Sequence, residues 1–245
     1  MTISNEAVAV VTGGSTGIGA SICEHLLEAG YRVVNIARRS ADIDSPRLEN
    51  LCVDLAEREA TREAAATIAA RHRVTTLVHN AGVIRPALLE QVELADFDYL
   101  TNIHLAAAIT LSQAFLPAMK EAAFGRIVLI GSRAALGLQT RTSYSATKIA
   151  MTGLARTWAL ELGAFGITVN CVSPGPVAST EMFHAVIPED SPKMREMSQG
   201  IPVRRLGEPD DVARAVMFMV APDNGFVTGQ TLMVCGGASL GSLTL

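Results

Sequence analysis

Apolar and β-branched residues gather in seven short runs along the chain, at residues 8–12, 32–37, 51–54, 77–80, 126–132, 167–173 and 231–235. Longer stretches with a helical repeat fill the intervals. In the first of these, 18–29, Ile18, Ile22 and Leu26 recur at every fourth position, and Gly30 supplies a left-handed stop. Such alternation predicts parallel strands joined by crossover helices. Within each run the apolar character is continuous rather than alternating, so both faces of the sheet should be covered. The expected fold class is α/β: a doubly wound, seven-stranded parallel sheet with helices on both faces, in one domain over residues 1–245.

One segment breaks the rhythm. Residues 174–209 hold six of the ten prolines (Pro174, Pro176, Pro188, Pro192, Pro202 and Pro209) and show no long periodic face. Long irregular connections in compact domains are usually functional, so a flap over a ligand is expected at about residues 176–205.

Composition narrows the class of function. Apolar residues make up 49% of the chain and charged residues 18%, a globular balance. The net charge is −4 and no run of Lys or Arg offers a nucleic-acid footprint. No run of apolar residues is long enough to span a bilayer, and residues 1–6 do not read as a secretory signal, so a cytoplasmic location is expected. Cys23, Cys52, Cys171 and Cys235 are scattered without metal-ligand spacing and read as reduced structural thiols; no metal is expected.

The first run leads into Thr12-Gly13-Gly14-Ser15-Thr16-Gly17-Ile18-Gly19, which opens straight into a helix. A strand, a glycine turn and a helix N-terminus together present backbone N–H groups and the positive end of a dipole to a pyrophosphate. The expectation is therefore a Rossmann dinucleotide-binding fold. An acidic residue at the end of the second strand would receive a free ribose 2′-hydroxyl; the chain instead carries Arg38 and Arg39. Two guanidinium groups suit a 2′-phosphate, which favours NADP(H) and leaves NAD(H) possible.

Tyr144 and Lys148 lie four apart in a helical stretch, on one face. A phenol ionises near pH 10, and an ammonium beside it favours the ionised form, so the pair can exchange a proton with a carbonyl oxygen while nicotinamide carries the hydride. Ser132, just past the fifth run, can hold the same oxygen.

With these motifs in place the chain resembles the short-chain dehydrogenase/reductase family over nearly its full length, and is similar to its 3-oxoacyl-ACP-reductase-like subgroup. The resemblance is carried by the Thr12 to Gly19 loop, Asp54-Leu55, Asn80-Ala81-Gly82, Ser132, the Tyr144 and Lys148 pair, Pro174-Gly175 and Gly236-Gly237. It implies cofactor contacts from Gly13, Ser15, Thr16, Gly17, Ile18, Gly19, Asp54, Leu55, Asn80, Ala81 and Gly82. It further implies that Asp54 meets the adenine, that Lys148 also holds the nicotinamide ribose, and that Pro174, Gly175, Val177 and Thr180 flank the carboxamide. The expected reaction interconverts a ketone, or a 3-oxoacyl group, and a secondary alcohol.

Four places depart from the family pattern, among them Cys235, where an acidic residue is usual before the final glycines, and Ser179-Thr180, one residue longer than the common pattern. His104 occupies the slot where the family usually carries an asparagine of a proton-relay tetrad, and His79 precedes Asn80 where paired asparagines are usual. His104 joins Ser132, Tyr144 and Lys148 in the candidate catalytic set, with two roles open: a water chain to Lys148, or a satisfied helix interior. Arg133, Gln139 and Arg141 are either substrate contacts or exposed loop residues. The helix around Tyr144 also carries Ile149, Met151, Leu154, Trp158 and Leu160 on more than one face, and residues 97–119 are similarly apolar. Another subunit is the simplest cover, and the family resemblance leans from dimer towards tetramer. A cofactor-binding sensor or scaffold without turnover remains the alternative reading, since fold alone proves no chemistry; a methyltransferase would leave the arginine pair and the tyrosine–lysine pair unexplained.

Overall fold

A computed structural model describes residues 7–185, 187–188 and 191–240. The ends of the expected domain, 1–6 and 241–245, and parts of the expected flap at 186 and 189–190 lie outside the described residues.

Seven strands form one parallel sheet: β1 (Val8–Thr12), β2 (Arg32–Ala37), β3 (Leu48–Cys52), β4 (Val74–His79), β5 (Gly125–Ile130), β6 (Ile167–Pro174) and β7 (Thr231–Val234). Their order across the sheet is β3-β2-β1-β4-β5-β6-β7, with every pair parallel. The direction of winding reverses between β1 and β4, and at such a switch point the helices diverge and leave a crevice beyond the strand carboxyl ends.

Because strand side chains alternate between faces, continuous apolar strands build two cores. Val10, Val34, Leu77, Ile127 and Val169 face one way and pack with Ile68, Leu111 and Met151. Those last three lie on α2 (Arg58–Arg71), α4 (Ala107–Glu121) and α5 (Thr142–Leu162). Ala9, Val11, Val33, Val78, Val128 and Val172 face the other way, towards Ile22 and Leu26 of α1 (Gly17–Glu28) and Val216 of α8 (Pro209–Val220). The strand β3 departs from the expected 51–54. As an edge strand it is sealed on one side only, and its polar Glu49-Asn50 pair conceals it from a hydrophobic scan. Its register is pinned instead by Asn35 Nδ2 donating to Asn50 Oδ1 at 2.8 Å.

Two details bear on function. Helix α3 (Leu94–Thr101) runs into α4 through a π-helical turn, Asn102–Ala106, and such wide turns recur at functional sites. The segment expected as an irregular flap holds two short helices, α6 (Glu181–His184) and α7 (Pro192–Gly200). Ser191 caps α7, with Pro192 in its first turn, where the missing N–H costs nothing. Ala178, Ile201 and Leu206 form a small apolar cluster with Phe183, Met194 and Met197. This is why the segment folds without a long periodic face. No described helix is long and apolar enough to cross a membrane.

Candidate active site

A cleft of about 680 Å³ opens over the carboxyl ends of β1, β2 and β4. Gly13, Ser15, Thr16, Gly17, Ile18 and Gly19 form its floor at the start of α1, with Arg38, Arg39, Asp54, Leu55, Asn80, Ala81, Gly82 and Thr180 on its walls. Gly13 (φ 68°) and Gly17 (φ 56°) adopt left-handed backbone that other residues rarely take. A Cβ on Gly13 would also come within 2.9 Å of Ala81 Cα. Helix α1 has no side-chain cap and no acid in its first turn, so its N-terminal donors suit a phosphate group. A dinucleotide fits this donor set. Among the described residues no His, Cys, Asp and Glu cluster is arranged to hold a metal.

One support of this loop, Asn35, was not foreseen in the sequence, and a second comes from Asn80, expected there as a cofactor contact. Asn35 Oδ1 accepts the Gly14 N–H at 2.8 Å, and Asn35 is buried in an otherwise apolar strand, which was the available signal. Asn80 Nδ2 donates to the carbonyls of Thr12 and Gly13 at 3.1 and 3.0 Å, tying the end of β4 to the loop. Ile36, Val53, Val83, Ile84, Glu181 and Met182 also line the cleft. Arg39 shares its charge: it forms an ion pair with Glu181 and donates to Thr16 Oγ1 at 3.4 Å, so the phosphate-loop side of the cleft is strapped to α6.

Pro174, Gly175 and Val177 stand beside the cleft rather than on its wall. Gly175 N–H donates to Val234 O at 2.9 Å, and a Cβ there would meet Cys235 Cβ at 2.7 Å. Val177 is buried and bridges to Gly207. Arg133 Nε donates to Ala238 O at 2.8 Å and so braces the turn after β7.

The candidate catalytic side chains lie close together, with Lys148 and His104 against Gly82 on the cleft wall. Helix α5 carries Tyr144 and Lys148, both buried. Ser132 follows the end of β5 and caps a single helical turn by accepting the Ala134 N–H at 3.1 Å. Lys148 Nζ donates to Ile130 O at 2.7 Å and lies 5.7 Å from the centroid of the Tyr144 ring. A Cβ on Gly82 would fall 3.3 Å from Lys148 Nζ and 2.8 Å from His104 Nε2, so only glycine lets the cleft wall approach these groups.

Electrostatics correct one expectation. The phenol was expected to be drawn below its ordinary pKa by Lys148. Burial instead pushes Tyr144 up, partly offset by the hydrogen bond with Ser132 and the charge of Arg141. Desolvation of the anion is the largest effect, while Lys148 Nζ donates to the Ile130 carbonyl. Burial also brings Lys148 down to about 8.

His104 is fully buried in the π-helical turn, its ring edge-on to Tyr144 with centroids 5.6 Å apart. Its Nδ1 lies 2.8 Å from Thr147 Oγ1 and its Nε2 accepts the Val83 N–H at 3.3 Å. His79 is likewise buried, between Thr12 Oγ1 at 3.1 Å and Ile103 O at 3.0 Å.

Comparison with known proteins bears on this arrangement. A family model described as Enoyl-(Acyl carrier protein) reductase matches residues 13–239. A relative from Thauera aromatica, a (2S)-[(R)-hydroxy(phenyl)methyl]succinyl-CoA dehydrogenase subunit, is 38% identical over 95% of this chain and 96% of its own. The chain belongs to the short-chain dehydrogenase/reductase family. An acetoacetyl-CoA reductase from Rhizobium meliloti is 38% identical over 94% of this chain and 97% of its own. Among solved structures, a putative NAD(P)-dependent gluconate 5-dehydrogenase from Beutenbergia cavernae, with bound NADP, superposes with a TM-score of 0.86 at 33% identity. It covers 95% of this chain, which matches 96% of that one.

Proposed function

We propose that this chain is an NADP(H)-dependent oxidoreductase that interconverts a ketone, of the 3-oxoacyl thioester class, and a secondary alcohol. The observation that carries the proposal is the grouping of Tyr144 with Ser132, its hydrogen-bond partner, and Lys148, whose Nζ lies 5.7 Å from the centroid of the Tyr144 ring and next to Gly82 on the wall of a cleft floored by the glycine loop. Gly13 to Gly19 would hold the pyrophosphate, Arg38 and Arg39 the 2′-phosphate, Asp54 the adenine and Lys148 the nicotinamide ribose. A reduced nicotinamide bound there supplies hydride to the carbonyl carbon.

As that carbon gains its new bond, the C=O π pair moves to oxygen, and Tyr144 gives the oxygen its proton. Ser132 donates a second hydrogen bond to the same oxygen and holds it in place. Burial holds the Tyr144 phenol in its protonated form at neutral pH, from which it can give its proton to the carbonyl oxygen, and in the oxidation direction the same oxygen takes the proton back. Lys148, a cation 5.7 Å from the ring, then balances the phenolate that forms. The CoA thioesters in the names of the Thauera aromatica and Rhizobium meliloti relatives support the thioester class.

A homotetramer is proposed for the assembly. Leu160 is 88% exposed and Ile149 48% exposed on α5, and Ile109 on α4 also faces solvent, so both helices show apolar surface that a second copy would cover. The four free cysteines suit a reducing cytoplasm.

Replacing Tyr144 by Phe tests the chemistry. Reduction of acetoacetyl-CoA with NADPH should fall by about a thousandfold or more, with NADPH affinity within about threefold of the parent. A phenylalanine variant that turns over as fast as the parent would exclude the mechanism.

A further inference from the structure

Two buried histidines have partners that fix their protonation atom by atom. The Val83 amide can only donate, so His104 Nε2, 3.3 Å away, carries the lone pair. His104 Nδ1 faces Thr147 Oγ1 at 2.8 Å, and the threonine's one hydrogen is directed to a carbonyl, Ser143 O at 3.1 Å or Tyr144 O at 3.0 Å. Nδ1 must therefore carry a hydrogen and donate it. His79 is the opposite case. Its Nε2 faces Ile103 O at 3.0 Å and must donate, while its Nδ1 accepts from Thr12 Oγ1 at 3.1 Å. The Thr12 oxygen in turn accepts the N–H groups of Asn80 and Ala81 at 3.0 and 2.9 Å. Every ring nitrogen is then satisfied, and neither ring has room for a second proton.

These bonds form one chain across the site. It runs from Thr12 at the end of β1, through His79 at the end of β4, to Ile103 and His104 in the π-helical turn. From there Thr147 carries it to the carbonyls of Ser143 and Tyr144 in the first turn of α5. Thr147 precedes Lys148, and the His104 ring touches the cleft wall and meets Tyr144 edge-on. We infer that His104 is a positioning residue, held as the neutral Nδ1–H tautomer, which seats the first turn of α5 and with it Tyr144 and Lys148, and that it carries no proton to or from Lys148. A relay through the imidazole would need a free lone pair at one nitrogen, and the Val83 N–H occupies it. Burial and the charge of Lys148 also hold His104 well below the usual histidine range, in keeping with a ring that stays neutral. The inference rests on the proposed roles of Tyr144 and Lys148.

Nitrogen NMR of the full chain labelled with ¹⁵N-histidine, assigned with the His104→Asn variant, reads the tautomers without any turnover. His104 should show the neutral Nδ1–H pattern and His79 the Nε2–H pattern, both unchanged from about pH 5 to about pH 9. In kinetics, His104→Asn keeps a polar atom where Nδ1 sits and so retains a partner for Thr147. It should hold kcat within about threefold of the parent with an unaltered pH profile, whereas His104→Ala should lose about tenfold or more. Titration of His104 within that pH range, the opposite tautomer, equal losses in the two variants, or a parental kcat in His104→Ala would overturn the inference. Should the parent reduce no carbonyl, the proposed function has failed, and the NMR result still decides whether His104 is locked.

Discussion

Lys148→Met separates what the site needs from what the fold prefers. The ammonium is 3% exposed, and burial lowers its pKa from 10.5 to about 8. Keeping that proton at neutral pH costs the folded state about 3 kcal/mol relative to the unfolded chain. Below about pH 8 both states hold the proton and the cost is present in full. Between about 8 and 10.5 the folded chain releases it first, the unfolded chain binds more protons, and stability rises with pH. Methionine removes this charge while keeping an unbranched apolar stem, but it strips Ile130 O of a donor, a loss of about 1–3 kcal/mol. The two effects nearly offset at neutral pH, so the variant should be as stable as the parent or slightly more so. As pH rises to about 10.5 the parent should gain about 3 kcal/mol on the variant. Urea unfolding followed by Trp158 emission, at fixed protein concentration and stepped pH, measures the difference. A parent-minus-variant difference that stays constant across that range refutes the reasoning, whatever happens to activity.

Other perturbations probe the cleft, the core and the assembly. Arg38→Asp should weaken NADPH binding about tenfold or more with little change for NADH, and Glu181→Gln, which frees Arg39, should tighten NADPH about threefold; equal shifts for both cofactors would remove the 2′-phosphate assignment. Arg126 is buried and donates to the carbonyls of Gly125, Gly166, Ala221 and Pro222 at 2.9, 3.3, 3.3 and 2.9 Å, so Arg126→Met should cost about 3 kcal/mol in urea unfolding. A loss below about 1 kcal/mol would mean that the carbonyls find water instead. Leu160→Glu should reduce the mass of the assembly in native mass spectrometry, and an unchanged mass would place the subunit contact elsewhere.

Local sequence determined much of this protein. Strands β1 and β2 fall where the apolar runs lie, the glycine loop opens α1, and Tyr144 and Lys148 share a face of α5, because each depends only on neighbours within a turn or two. Edges were less legible: β3 is defined by Asn35 reaching Asn50, a pairing between strands. Helices α6 and α7 were hidden among prolines, because the cluster of Ala178, Ile201 and Leu206 that supports them draws on residues far apart in the chain. The site's electrostatics belong wholly to the tertiary structure. Spacing brings an ammonium near a phenol, but only packing aims Nζ at Ile130 O and buries the ring so that its pKa rises rather than falls. The same holds for the histidines. Their identity is written in the chain, while the Val83 N–H and the Ile103 carbonyl, which decide where each proton sits, reach them only once β4, the π-helical turn and α5 have packed together.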